Sequence, residues 1–282
     1  HHHILYTRIP AYRRADLHAA QAVDRTVFEY WTHALSYVPT RDLRFYVRAM
    51  GREWGLWGAW FGTVKVGDMR KVLGRIRRDG PLTIRDIDDD VLLEKDHEWS
   101  SRKPSKRALQ LLFYRGVLRV SARLGMLKTY ELLTRHFGWE RLPKPASERE
   151  TVNYLLDRAL RSQGAISLKS LGPMVPSRRA GMRRLIEART RDGDLVALDI
   201  AGLTHWARPD VLEQPFEPNG TVHILSPFDP LVIQRGRLKH FFGYEHRFEA
   251  YLPKERRVFG YFAQPVLVDE EIAAVIDLKT DR

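Results

Sequence analysis

The 282-residue chain contains no cysteine. That excludes disulfide bonds, thiolate catalysis, cysteine-ligated zinc and iron–sulfur chemistry. It also lacks any uninterrupted apolar run of about 18 residues, so no transmembrane helix is expected, and its first residues do not follow the signal-peptide pattern. Common nucleotide and hydrolase motifs are missing as well: there is no phosphate loop, no Gly-x-Gly-x-x-Gly after a strand, no His-Glu-x-x-His and no Gly-x-Ser-x-Gly. His1, His2 and His3 have no carboxylate cluster beside them, so neither a metal nor a cofactor is expected. These absences leave a cytoplasmic protein that works through its own side chains.

Acidic residues are the other shortage. Against 47 Lys and Arg there are 35 Asp and Glu, giving a net charge of +12 and a pI near 10.0. A folded chain with this excess favours a polyanionic partner, because each neutralised phosphate releases condensed counterions. Hydrophobic residues make up 44% of the chain, enough to bury a core, and the length corresponds to roughly two domains, or more if they are small.

Periodicity divides the chain into repeated units. Ala15–Ala22 reads as a helix and 25–33 as a strand or short helix, followed by Thr40 as the N-cap of a helix over Leu43–Met50. Trp54, Trp57 and Trp60 recur every three residues, the spacing of a helical core stripe. Met69, Val72, Leu73 and Ile76 give Val66–Asp79 a helical period, which Asp79-Gly80-Pro81 breaks. Thr83 caps a second short helix, and a third helix contains Ala108, Leu109, Leu111, Leu112 and Phe113. That helix ends at Gly116 before a strand over Val117–Val120. The order then recurs: a helix over Thr151–Arg161, a second-helix signal at Ala165–Leu171, a basic third helix over Ser177–Ile186, and a turn with strand over Gly193–Leu198. Both copies obey Gly-x-apolar-(Ser/Thr)-apolar-basic-x-apolar. Two units of helix, short helix, basic helix and hairpin form a tandem winged-helix array. Arg141–Ser147 and Pro215–Gly220 read as linkers.

In the last third, Val222–Leu225 reads as a strand and Ser226–Pro230 as a turn. A basic helix over Arg235–His240 follows, then a hairpin with strands at Phe248–Leu252 and Val258–Phe262 and its tip at Lys254–Arg257. SPFDPLVIQRGRLKHFFGYEHRFEAYLP followed by RRVFGYF resembles the YcaQ/AlkZ family of bacterial DNA glycosylases, and the similarity extends more weakly over most of the chain. The resemblance implies an α+β fold in which tandem winged-helix (helix-turn-helix) domains precede a β-rich, barrel-like domain. Boundaries are expected at 1–66 for the remainder of a first winged helix, 67–142 and 148–214 for two more, and 220–282 for the β-rich domain. It also implies repair of alkylated or interstrand-crosslinked bases by hydrolysis of the N-glycosidic bond, on double-stranded DNA in the nucleoid, by a monomer.

Expected DNA contacts are Arg102, Lys103, Lys106 and Arg107 at one third helix and Arg178, Arg179, Arg183 and Arg184 on the other. In helix-turn-helix folds the third helix enters the major groove by its amino end. Glycosidic hydrolysis requires a base drawn out of the stack and a carboxylate or amide to position water beside an oxocarbenium-like sugar. In the family that role belongs to a Gln-x-Asp or Gln-x-Gln motif just before a segment similar to Leu5-Tyr6-Thr7-Arg8-Ile9-Pro10. His1–His3 suit either a tag remnant or the interior of a longer protein, and the resemblance favours the latter, so the chain is read as truncated at both ends. No catalytic residue is carried over. His33, in a Glu-Tyr-Trp-x-His string that the family shares, is more simply a packed histidine. Asp229 is more simply the cap of its own turn, and Glu249 is a further candidate carboxylate. The competing reading is a winged-helix DNA-binding protein without catalysis. A module that sequesters an alkylating metabolite is a third.

Overall fold

A computed structural model describes residues 1–32, 34–52, 61–87, 92–95, 101–172, 174, 176–215 and 217–279. The chain mixes helix and strand and divides into two units, Arg13–Ser147 and His1–Tyr12 together with Glu148–Arg282.

In the unit Arg13–Ser147, a helix over Arg14–His18 continues as a π-turn over Ala19–Val23. Strands β1 (Val27–Trp31) and β2 (Leu35–Pro39) pair antiparallel, with Phe28 opposite Val38 and Glu29 opposite Tyr37. Thr40 does not cap the next helix. It opens a 3-10 turn, and its hydroxyl donates to the Arg25 carbonyl at 2.7 Å. The helix Val66–Asp79 falls where its apolar period predicts, with Val72 and Ile76 buried, and stops at Gly80, whose φ of +92° suits glycine. Thr83 caps the 3-10 turn Ile84–Asp86: the Arg85 N–H donates to its hydroxyl and its own N–H donates to Asp86. This reciprocal capping satisfies donors that the turn itself cannot.

After the helix Pro104–Tyr114, Gly116 turns the chain at φ +69°, and a Cβ there would press on the Met50 side chain. Strands β3 (Leu82–Thr83), β4 (Leu118–Leu124) and β5 (Leu127–Leu132) form a sheet in the order β3-β5-β4. Leu109, Leu112, Leu118, Val120 and Leu133 are buried with Val72 and Ile76. His33, Trp54, Trp57 and Trp60 lie outside the described residues.

In the other unit, the helices Glu148–Gln163 and Pro176–Arg191 pack through Leu156, Leu160, Met182 and Ile186, beside β6 (Val196–Ile200) paired with β7 (Leu203–Ala207). The expected short helix at 165–171 is a turn. Ile166 bridges to Trp206, and Ser167 and Ser170 each take the other's backbone N–H, at 3.2 and 3.0 Å. Side chains that satisfy nearby backbone donors compete directly with helix formation.

The last part has β8 (Val222–Ile224), the helices Pro230–Ile233 and Arg235–Phe242, β9 (Gln264–Val268) and β10 (Glu271–Ile276), in a three-stranded sheet ordered β10-β9-β8. Two expectations fail here. Residues 248–262 form no hairpin, and among the described residues the sheet is open at β8 and β10, so no barrel closes. The cause is local. Glu249 is buried and accepts the N–H groups of Val258 (2.8 Å) and Phe259 (2.7 Å), while Asp277 accepts those of Tyr261 (2.7 Å) and Phe262 (3.3 Å). Donors taken by carboxylates cannot enter a β-ladder. Gly260, at φ +116°, holds the turn where any Cβ would collide with the Asp277 carboxylate.

Candidate nucleic-acid interface

Charge is divided unevenly between the two units. Residues 13–147 contain 26 Lys and Arg against 16 Asp and Glu, a net +10, whereas the remainder has 21 against 19, a net +2. A polyanion would therefore be drawn first to the unit Arg13–Ser147.

In that unit the helix Pro104–Tyr114 begins with Pro104 in its first turn, after Lys103 at the N-cap. Proline fits there because no intrahelical donor is required. Arg102, Lys103 and Lys106 are exposed around this start. Arg107 departs from its expected place: it is 3% exposed, and its guanidinium donates to the Ser101 carbonyl (2.5 Å), to Thr63 Oγ1 (2.8 Å) and to the Glu94 carbonyl. Helical spacing explains this, because residue 107 lies one turn before the buried Leu111 and so faces the core. Arg107 anchors the loop that carries Arg102 and Lys103 and presents no charge of its own to a ligand.

The β4–β5 hairpin follows. At its tip Gly125 sits at φ +59°, flanked by Leu124 and Met126, which are 80% and 90% exposed. Strand β4 is fixed along its length, from Arg119 near the base to Arg123 near the tip, by a polar network that the sequence pattern does not reveal. Glu29, fully buried, receives Arg123 Nε at 2.5 Å and Nη2 at 2.7 Å. Gln21 Nε2 donates to the same carboxylate and to the Val120 carbonyl, both at 3.0 Å, and the Tyr37 hydroxyl donates to Glu29 at 3.3 Å.

Burial opposes ionisation of Glu29. The Arg123 hydrogen bond and charge, with help from Lys128 and Gln21, outweigh it and hold the carboxyl below its usual range. Arg119, also fully buried, donates to the Glu29 carbonyl at 2.5 Å and lies 4.2 Å over the Phe28 ring. Burial lowers its pKa to about 9, against the opposing pull of Glu29 and Tyr30. The signal was present as a glutamate and two arginines inside otherwise apolar strands, at 29, 119 and 123. Charges are rarely placed in such strands unless paired.

In the other unit the helix Pro176–Arg191 is pinned from its polar side. Arg178 donates to Glu148 at 2.7 and 3.2 Å, and Arg189 donates to Asp157 at 2.5 Å and Asn153 at 3.0 Å. Met182 and Ile186 face the core, which leaves Arg179, Arg183 and Arg184 exposed. Arg178 is half-buried in its ion pair and orients the helix. The hairpin β6–β7 follows directly, turning at Ala201-Gly202, both with positive φ.

Each unit thus sets exposed cations on one helix immediately before a two-stranded hairpin. Asp229 is wholly buried and caps its own turn, accepting the Leu231 N–H at 2.9 Å. Among the described residues no group of three or more His, Asp or Glu could hold a metal ion, and no helix is long and apolar enough to cross a membrane.

A family model described as "DNA glycosylase AlkZ-like" matches residues 1–282. Among solved structures the chain is similar to Streptomyces sahachiroi DNA glycosylase AlkZ, with a TM-score of 0.54 and 18% identity, over 91% of this chain and 71% of that one. At that identity the likeness is one of fold.

Proposed function

The chain belongs to the AlkZ-like DNA glycosylase family, and on that premise we propose that it binds duplex DNA through tandem winged-helix units and serves the hydrolytic removal of alkylated or crosslinked bases. The observation that carries this reading is the repeated arrangement of exposed cations at a helix followed by a hairpin. Lys103, Lys106 and Arg102 supply phosphate contacts in one unit, and Arg179, Arg183 and Arg184 in the other. In winged-helix geometry such a helix lies in the major groove and the hairpin lies against the neighbouring backbone. On this reading residues 67–142 and 148–214 are the two repeated units, 1–66 belongs to a first, and 220–282 is a separate C-terminal domain. The protein works as a monomer on nucleoid DNA in the cytoplasm.

The chemistry asked of such an enzyme is positioning of one water against the anomeric carbon of a lesion whose base is already a good leaving group. Four carboxylates are buried among the described residues, and each is already engaged, Glu131 by the Leu132 N–H and Arg135, and Glu249 by the Val258 and Phe259 N–H groups. Glu29 is saturated by Arg123, Gln21 and Tyr37, and Asp229 by Arg8 and its own turn. The water-positioning role is therefore not assigned to these buried carboxylates.

The test is release of modified base from duplex DNA carrying N7-alkylguanine, single or crosslinked, by this chain and by the same protein extended at its amino end. Release by the extended form alone supports a catalytic group preceding His1. Release by neither, with salt-sensitive binding by both, replaces the enzyme with a DNA-binding protein.

A further inference from the structure

Within residues 220–282, aromatic rings gather on the surface and do not close into the core. Phe248 and Phe262 are half-buried and pack edge to face at 5.8 Å between centroids. On them sit Phe228, 5.2 Å from Phe248, and Tyr251, 5.5 Å from it. Phe228 is 46% exposed and Tyr251 67%; Tyr261, next to Phe262 in sequence, is 52% exposed. Arg257 lies over the Tyr261 ring at 4.9 Å.

Packing on each other accounts for the half-burial of Phe248 and Phe262. It does not account for Phe228, Tyr251 and Tyr261, because leaving aromatic rings in water forgoes the gain that buries them elsewhere. Cations lie in the same segments as the rings. Arg247, Lys254 and Arg256 are exposed, with one exposed carboxylate, Glu255, between the last two, while Glu249 is turned inward onto backbone amides and Glu245 is paired with Lys239 at 3.0 Å. Planar rings offered to solvent among cations are the means by which proteins hold unpaired nucleic acid. Every base has a π-face to stack, and the cations follow the phosphates.

We propose that the Phe228–Tyr251 surface, resting on Phe248 and Phe262, is a stacking platform for unpaired DNA, engaging bases of a strand that has lost its pairing beside the lesion. The inference rests on the DNA-directed reading above and adds a single-stranded partner to the duplex one. The platform is built by the same carboxylate-to-amide bonds that displace the hairpin. Glu249 fixes Val258 and Phe259, and Asp277 fixes Tyr261 and Phe262, so the rings are held without a β-ladder.

The test measures binding of a labelled oligothymidylate of about a dozen nucleotides and of a duplex of equal length, by fluorescence anisotropy at fixed salt. Phe228→Ala and Tyr251→Ala should each weaken single-strand binding by about ten-fold or more and leave duplex binding within two-fold. Phe228→Trp should restore the affinity and Phe228→Leu should not, because leucine keeps apolar area without a π-face. Unchanged single-strand binding in the alanine variants, or wild-type affinity in Phe228→Leu, overturns the platform while leaving the duplex reading intact. Failure of the unsubstituted chain to bind either DNA overturns both. Loss of self-association in sedimentation, in place of lost DNA binding, would reassign the rings to a contact between copies of this chain and overturn the proposal.

Discussion

Arg8 and Asp229, 221 positions apart in sequence, face each other through two parallel hydrogen bonds, Nη1 to Oδ2 at 2.5 Å and Nη2 to Oδ1 at 2.7 Å. The carboxylate is wholly buried and the guanidinium is half exposed, so the contact ties the first twelve residues to the segment 226–233 by its inner end. Asp229→Ala removes both this pair and the cap on Leu231. A cap alone contributes about 1 kcal/mol, and thermal unfolding should show a loss of at least that size. Arg8→Ala should cost more than a surface pair, which contributes about 0–1 kcal/mol. A melting temperature unchanged in both variants would contradict the role given to the contact.

His136 is buried, and burial followed by the charges of Arg25 and Arg119 lowers its pKa from 6.5 to about 4. The unfolded chain therefore binds more protons between these values, and stability rises with pH across that window. The contribution is complete above pH 6.5 and is lost as pH falls toward 4. Between pH 5 and 6.5, where carboxylates stay ionised, denaturant unfolding should show a positive slope approaching about 1.4 kcal/mol per pH unit. His136→Gln should flatten that slope. A slope of the same size in the variant would assign it to other groups.

Lys106 and Arg107 are neighbours with opposite orientations, one exposed and one buried in hydrogen bonds. Lys106→Ala should leave the melting temperature in place and lower the slope of log binding constant against log salt by about 0.9. Arg183→Ala and Arg184→Ala should behave alike. Arg107→Ala should instead destabilise the fold by about 3 kcal/mol, because a buried charge-assisted network loses its centre. If Arg107→Ala binds DNA more weakly at full stability, the assignment of roles between the two is reversed.

Gly260→Ala should destabilise the segment around it. The residue sits at φ +116°, and a methyl group would collide with the Asp277 carboxylate that holds Tyr261 and Phe262. Hydrogen exchange at those two amides should accelerate more than at Leu225 or Leu238. Uniform acceleration across the unit would point to global destabilisation.

Most helices were legible because their signals are local. Val66–Asp79 carries its period and its glycine stop, and Pro104–Tyr114 and Pro176–Arg191 follow from apolar spacing with basic residues between. Reading failed where a side chain far along the chain takes over backbone hydrogen bonding. The alternation Phe248-Glu249-Ala250-Tyr251-Leu252 is a fair strand pattern, yet Glu249 buries its charge and captures amides ten residues away. The Glu29, Arg119 and Arg123 network escaped notice for the same reason, since pairing across 90 or more positions leaves only an unexplained charge in an apolar run. Arg107 has the charge of a DNA contact but the helical phase of a core position, and the phase decides its place.

Glu249 and Asp277 give residues 258–262 their order through hydrogen bonds to backbone amides, and at Glu249 that order depends on an ionised group. Amides of Phe259 and Val258, against the resistance of burial, hold the Glu249 carboxyl below its usual range. Its contribution is present above the unfolded value and fades as pH falls through the folded one. The segment is therefore a separate opening unit, latched by charge, lying beside a sheet held by apolar packing. Acid strong enough to protonate Glu249, below the usual carboxylate range, would free the Val258 and Phe259 amides while β8, β9 and β10 stay paired. A ligand that ordered the rings would be felt first as slowed exchange at these amides.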